Sequence, residues 1–245
     1  RSAEWFIANQ PKECLTEIHR EYAWHWSREY EAPGWRFRPF KFPEPSSRAS
    51  SRSCRHDATA CHGSNAELCV NGVRCVAKYA IDNGFVSTNE FIVNAPVADI
   101  KVSVNENNVE IQAPLPSFEE ESILFDQYEG IKAEVGNPHF MVEVNDVEDT
   151  NLLNLNNTVK NLNLFNDGYN LEIFEIIDNK YIKARVFERG VGETDACGSG
   201  ALCLFNYLYK SKKIDNDSYV LYPGGDLNLK FREENLFLSG DVIYL

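Results

Sequence analysis

The sequence predicts an α/β protein of two pseudo-symmetric halves, each a β-rich, barrel-like sheet around a central helix. Three observations carry this. Two strong helical patterns, over about 70–83 and 198–212, are each flanked by short strand-like stretches. Both helices are headed by a cysteine in the same pattern, C-x-x-G-x-x-C, at Cys69–Cys75 and Cys197–Cys203. Between them Pro114 and Pro116 punctuate the chain, a natural boundary between halves.

Residues 1–61 have a texture of their own. All four tryptophans (Trp5, Trp24, Trp26, Trp35) fall there, followed by a proline-spaced stretch from Pro39 to Pro45 and a basic, low-complexity run from Ser46 to Arg55. A helix over about Lys12 to Tyr30 is the one element predicted, and no clear strand is read. From Gly63 onward the pattern is orderly. Val73, Val76, Ala77 and Ala80 give the first helix an apolar face, and Gly84 ends it. Strands are expected at about 90–94, 98–104 and 108–112, the last two joined by the turn residues of Asn105 to Asn108. After the prolines come strands at 122–125, 130–135 and 139–145, a short helix within 151–166, and strands at 170–177 and 181–188. A glycine-rich turn leads into the second helix. Short strands at 220–222, 228–231, 235–239 and 241–244 close the chain. The expected domains are therefore 1–113, with 1–61 atypical, and 114–235, with a last strand in 236–245 returning to the N-terminal half.

Bulk properties narrow the function classes. At 245 residues the chain can bury a proper core in each half. A formal net charge of −13 argues against nucleic acid or an anionic membrane as partner, because both need a basic surface. There is no apolar run long enough to span a bilayer, and Arg1 to Glu4 lacks a basic segment followed by an apolar one. A cytoplasmic protein acting on a small molecule is the expectation, with a homodimer as the candidate assembly. Seven cysteines are too few for a disulfide scaffold and read as reduced thiols.

The repeated cysteine pattern carries the chemistry. Each leading cysteine lies where a loop turns into a helix, where unpaired N–H groups and the helix dipole are expected to lower a thiol pKa and to favour a bound carboxylate. Inverting an amino acid stereocentre needs a base on one face and an acid on the other. Two thiols, one ionised and one protonated, meet that need and exchange roles after turnover. A cysteine near a glycine-rich turn is ordinarily a small, half-buried hydrophobe, but duplication at identical spacing weighs against that here. Metal binding is not expected, since zinc sites use tighter spacings and neither copy has a nearby histidine. Cys75 and Cys203, among apolar neighbours further along their helices, are assigned to core.

Glu188 to Ala201, reading E-R-G-V-G-E-T-D-A-C-G-S-G-A, closely resembles the second cysteine motif of diaminopimelate epimerases. Gly63 to Cys75 resembles the first motif, and Gly136-Asn137-Pro138-His139 a third. Tyr169-Asn170-Leu171 looks like the family's strand asparagine, and Pro223-Gly224-Gly225 like its late turn. The resemblance covers about 63–245. It implies conversion of LL-diaminopimelate to the meso form without a cofactor, pyridoxal phosphate included. It also implies residue roles. Cys69 and Cys197 form the acid–base pair, with Glu188 and His139 tuning the first thiol. Asn137, Asn170, Glu188 and Arg189 hold substrate, while Val70, Asn71, Gly198 and Ser199 present backbone amides to its carboxylate. Arg189 suits a bidentate carboxylate grip, and asparagines both donate and accept.

The family's Gly-Asn-Asp-Phe substrate loop is missing from residues 1–61, Ala60 and His62 replace an asparagine and an aspartate of the first motif, and Val70 replaces a glycine. The expectation is that residues 1–61 do not belong to the family's reading frame. Translating the coding DNA in its other frames checks this, by whether the missing strand appears. Two alternatives accompany the epimerase reading: a racemase of another amino acid on the same fold, and a catalytically impaired remnant.

Overall fold

In the computed structural model residues 53–55, 69–95 and 98–244 are described, the first three as backbone only. The predicted helix at 12–30, the tryptophan cluster, Ala60, His62 and the first motif up to Leu68 lie outside the described residues. The chain divides into two compact units. One runs up to Ile111 and takes in the segment from Asp241, and the other is Gln112–Gly240.

In the first unit, β1 (Ser53–Arg55) pairs in parallel with β2 (Glu90–Asn94), which continues antiparallel into β3 (Asp99–Asn105) and β4 (Asn108–Ala113). β1 corrects the sequence reading, which found no strand before Gly63. Three residues without apolar alternation carry no periodic signal, and only the parallel partner at Ile92–Asn94 makes them a strand. β2, β3 and β4 each alternate buried and open positions, so one face is packed. Helix α1 (Val70–Asp82) covers β2 and β3, burying Val73, Ala77 and Ala80. It ends as expected, with Asn83 as its C-cap and Gly84 at a φ of +69°, a left-handed position that glycine adopts without strain.

The second unit begins with β5 (Ser117–Phe118), β6 (Ile123–Phe125), β7 (Tyr128–Glu134), β8 (Pro138–Glu143), α2 (Leu152–Asn161) and β9 (Asn170–Ile176). It continues with β10 (Tyr181–Glu188), β11 (Gly192–Thr194), α3 (Gly198–Lys210), β12 (Asp217–Tyr222), β13 (Gly225–Arg232) and β14 (Asn235–Asp241). The strand path is β14-β13-β12-β10-β9-β8-β7-β5, with β11 beside β10 and β6 beside β7. Helix α3 packs against β5 and β8 as well as β12 and β13, so the sheet curls around it. This is the predicted helix-centred, β-rich arrangement. β11 falls in what reads as a glycine-rich turn, where three residues are too few for periodicity. The separate strand expected at 241–244 does not form. β14 runs unbroken through Asp241 because Ser239 and Gly240 are buried and stay in the ladder, with Ser239 opposite Asn228.

β8 and β9 position the site. They pair in parallel, His139 opposite Asn170 and Met141 opposite Glu172, and residues 139–142 and 170–174 are continuously buried. Continuous burial means that both faces are covered. On one face Phe140, Val142, Leu171 and Ile173 join Leu152, Leu155 and Val159 of α2 in an apolar cluster. Side chains alternate along a strand, so His139, Asn170 and Glu172 project to the opposite face, toward α3. Among the described residues no helix is long and apolar enough to cross a membrane.

Candidate active site

Cys69 and Cys197 occupy the same local position. Each is the N-cap of its helix in extended conformation, and each Sγ accepts from the amide of the residue three further on. Gly72 N–H donates to Cys69 Sγ at 3.3 Å, and Gly200 N–H donates to Cys197 Sγ at 3.4 Å. The duplicated spacing thus encodes a duplicated cap, because an N-cap side chain reaches the amide of the second or third helical residue. The following residues, Val70 and Asn71 in α1 and Gly198 and Ser199 in α3, supply first-turn amides of the kind a helix leaves without intrahelical partners. Val70 is buried in the core. Asn71 is braced by Arg74, whose Nη2 donates to its Oδ1 at 3.1 Å. Cys75 and Cys203 are buried, and all four described cysteines are free thiols.

Around Cys197 the second unit assembles a buried polar cluster. Cys197 Sγ lies 3.3 Å from Ser199 Oγ, which lies 3.1 Å from His139 Nε2. On its other side the imidazole approaches Glu172, Nδ1 to Oε1 at 3.3 Å, although neither atom has an aligned hydrogen bond. Tyr222 O–H donates to the second carboxylate oxygen, Glu172 Oε2, at 3.1 Å. His139 and Glu172 side chains are both 0% exposed, so this pair is fully removed from water. Glu188 accepts from Thr194 Oγ1 at 2.5 Å, across the β10–β11 pairing. Burial, ahead of the Thr194 bond that opposes it, pushes the Glu188 carboxyl up.

Two of the predicted substrate residues of this unit, Asn170 and Arg189, are joined by a hydrogen bond. Asn170 Oδ1 accepts from the Arg189 amide at 2.9 Å, and Arg189 Nη1 donates to the Asp167 carbonyl at 3.0 Å. Asn137 is half-buried, and its buried Oδ1 has no hydrogen-bond partner, leaving it free to accept from a ligand. The late turn also has a physical role. Gly224 N–H donates to Asp195 O at 2.8 Å, and a Cβ on Gly224 would stand 2.8 Å from Asp195 Cβ, so glycine lets this turn brace the loop before Cys197.

His139 and Glu188 both lie in the second unit. One finding differs from the sequence reading: the helix end was expected to lower the thiol pKa, whereas Cys197 is pushed well up. Burial is the largest cause, followed by the Glu172 and Glu188 carboxylates, and the Ser199 and Gly200 hydrogen bonds recover only part of it. A helix dipole is worth at most about 2 kcal/mol, which complete desolvation beside two carboxylates outweighs. Glu172 and Tyr222 were missed altogether. One signal was present: an acidic residue inside the apolar run Asn170-Leu171-Glu172-Ile173-Phe174, on the same strand face as the asparagine.

His139, Glu172 and Cys197 bring one nitrogen, one oxygen and one sulfur within 4.8 Å of one another, donor types that zinc accepts. Binding there would require the Cys197 thiolate, which these surroundings disfavour.

Burial also raises the Cys203 thiol and the Tyr222 hydroxyl well above their ordinary values. The consequence for stability has a definite sign. In the unfolded chain these groups ionise at ordinary values, about 8.5 for a thiol and 10 for a phenol, while the folded state keeps its protons longer. Their contribution is complete below the unfolded values and is lost as pH rises toward the folded ones. The urea midpoint is therefore expected to fall between about pH 8 and pH 10. A midpoint unchanged over that range would contradict the burial assigned to these two groups.

A curling sheet around a cysteine-capped helix, with a buried histidine and carboxylates beside the thiol, defines a protein of the racemase and epimerase fold. Solved structures agree on the fold. A hydroxyproline epimerase from Agrobacterium vitis matches with a TM-score of 0.58 at 11% identity, over 73% of this chain and 65% of its own. A PhzF-family phenazine biosynthesis protein from Bacillus anthracis matches with a TM-score of 0.55 at 15% identity, over 73% and 74%. The family model for diaminopimelate epimerase matches residues 132–245. The diaminopimelate epimerase of Brachyspira hyodysenteriae is 32% identical over 205 residues, 74% of this chain and 73% of the relative. That of Thermotoga maritima is 34% identical over 181 residues, 74% and 73%. The chain belongs to the diaminopimelate epimerase family.

Proposed function

We propose that this protein inverts the α-carbon of LL-diaminopimelate to give the meso isomer, one cysteine removing the α-proton and the other returning it. The observation that carries this is the Cys197 site, a buried thiol capping α3 beside first-turn amides and a histidine–carboxylate pair. A thiol held protonated at neutral pH is a ready acid, and once its proton is given up it is a base of matching strength for the next turnover. The amides of Gly198 and Ser199 suit the substrate carboxylate and the charge that develops as the α-proton leaves. Cys69, capped in the same way, supplies the second acid–base group. Asn137, Asn170, Glu188 and Arg189 suit a substrate with a second zwitterionic end, which favours diaminopimelate over proline-like substrates. In this reading the reaction needs no cofactor.

The test is incubation of LL-diaminopimelate with the protein in deuterium oxide. The expected result is meso product carrying deuterium at one α-carbon. Deuterium entering proline or hydroxyproline in its place would identify the same-fold racemase, and labelling of no amino acid would identify a remnant.

A further inference from the structure

Glu172 has no role in the chemistry described so far, yet its side chain is completely buried. A carboxylate removed completely from water is tolerated only when its charge is answered. Here Tyr222 satisfies one oxygen, and the other has only the imidazole edge of His139, 3.3 Å away. The fold makes specific room for it. A Cβ on Gly200 would overlap the Glu172 carboxylate, so the first turn of α3 is left open on that side.

The charges around this carboxylate can be named element by element. β8 contributes His139, β10 Glu188, β12 Tyr222, and α3 Cys197 and Cys203, while Glu134 of β7 acts on Cys203. Of these groups only His139 can become positive. Its other nitrogen, Nε2, faces the Ser199 hydroxyl, which in turn faces Cys197 Sγ. The four side chains thus stand in order, Glu172, His139, Ser199, Cys197, the last three at hydrogen-bond distances and Glu172 Oε1 3.3 Å from His139 Nδ1 without an aligned hydrogen bond.

We propose that Glu172 is a positioning residue that holds His139 with Nδ1 protonated, so that Nε2 takes up the Cys197 proton through the Ser199 hydroxyl when that thiol becomes the base. The step balances. The Cys197 S–H bond breaks as its proton passes to Ser199 Oγ, and the original Ser199 proton passes to His139 Nε2. The products are a thiolate and an imidazolium, and Glu172 stays ionised to offset the imidazolium. The inference rests on Cys197 being an acid–base group, and it gives that group an internal proton acceptor in place of bulk water.

Two measurements that use no substrate test it. In the wild-type protein, nitrogen-15 shifts of His139 are expected to show Nδ1 protonated and Nε2 bare at neutral pH. The opposite tautomer would overturn the proposal whatever any variant does. The second measurement is the rate of Cys197 alkylation by iodoacetamide, followed at the peptide level against pH, in the wild type, Glu172→Gln and Glu172→Asp. Loss of the carboxylate is expected to slow alkylation near pH 7 by about tenfold or more, with partial recovery in Glu172→Asp. A carboxylate acting only as a nearby negative charge would give the opposite sign, because its removal lowers the thiol pKa and speeds alkylation. Faster or unchanged alkylation in Glu172→Gln overturns the relay. Wild-type deuterium exchange reports separately on the epimerase reading, so failure of one is distinguishable from failure of the other.

Discussion

Replacing Cys197 by serine is expected to lower the rate of α-proton exchange by about 10²–10⁴-fold while leaving the fold as stable as before, or more so. The reasoning separates two jobs done by one atom. As an N-cap, Cys197 accepts the Gly200 amide through sulfur at 3.4 Å, a weak version of a bond that a serine hydroxyl makes well. As an acid–base group it needs a proton far more acidic than that of an aliphatic hydroxyl, which serine does not offer. Serine therefore improves the cap and removes the chemistry. The same substitution at Cys69, whose Sγ accepts from Gly72 at 3.3 Å, is expected to behave alike. Exchange measured alongside urea unfolding checks both halves of the statement. Retained exchange in Cys197→Ser would show that the sulfur only caps a helix.

Gly200→Ala is expected to destabilise the second unit by about 3 kcal/mol and to depress activity with it. Alanine is the better helix former, so propensity alone predicts a gain of roughly 1 kcal/mol. The tertiary environment reverses that sign, since the added methyl overlaps the Glu172 carboxylate. Relief requires moving a buried charge away from Tyr222 and His139, whose contacts at 3.1 and 3.3 Å hold it in place. A urea midpoint equal to or above that of the wild type would mean that this carboxylate moves freely, and would weaken the role assigned to it.

Much of the architecture was legible because periodicity and punctuation are local. The helices at 70–82, 152–161 and 198–210 lie close to their expected spans, each where apolar spacing, a capping residue and a following turn agree. Strands with an apolar alternation, such as Asp99–Asn105 and Tyr181–Glu188, were equally readable. Short strands were not. Ser53–Arg55, Ser117–Phe118 and Gly192–Thr194 are strands only through their partners, and two or three residues carry no period. The site was legible in the same uneven way. The paired cysteines stood out through their repeat, but Glu172 and Tyr222 looked like ordinary strand residues.

The sequence by itself determined two helices capped by cysteine, the strands around them, and the family whose motifs they carry. Each of those is written in neighbouring residues, through hydrogen bonds and side-chain spacing that reach no further than a turn or two. Only the tertiary structure decided the chemistry at Cys197. Its thiol is driven up by burial and by carboxylates contributed from β9 and β10, and its line to His139 joins residues 60 apart in sequence. Desolvation and charge act through space, so a pattern that correctly marks where a thiol sits does not tell whether that thiol keeps its proton.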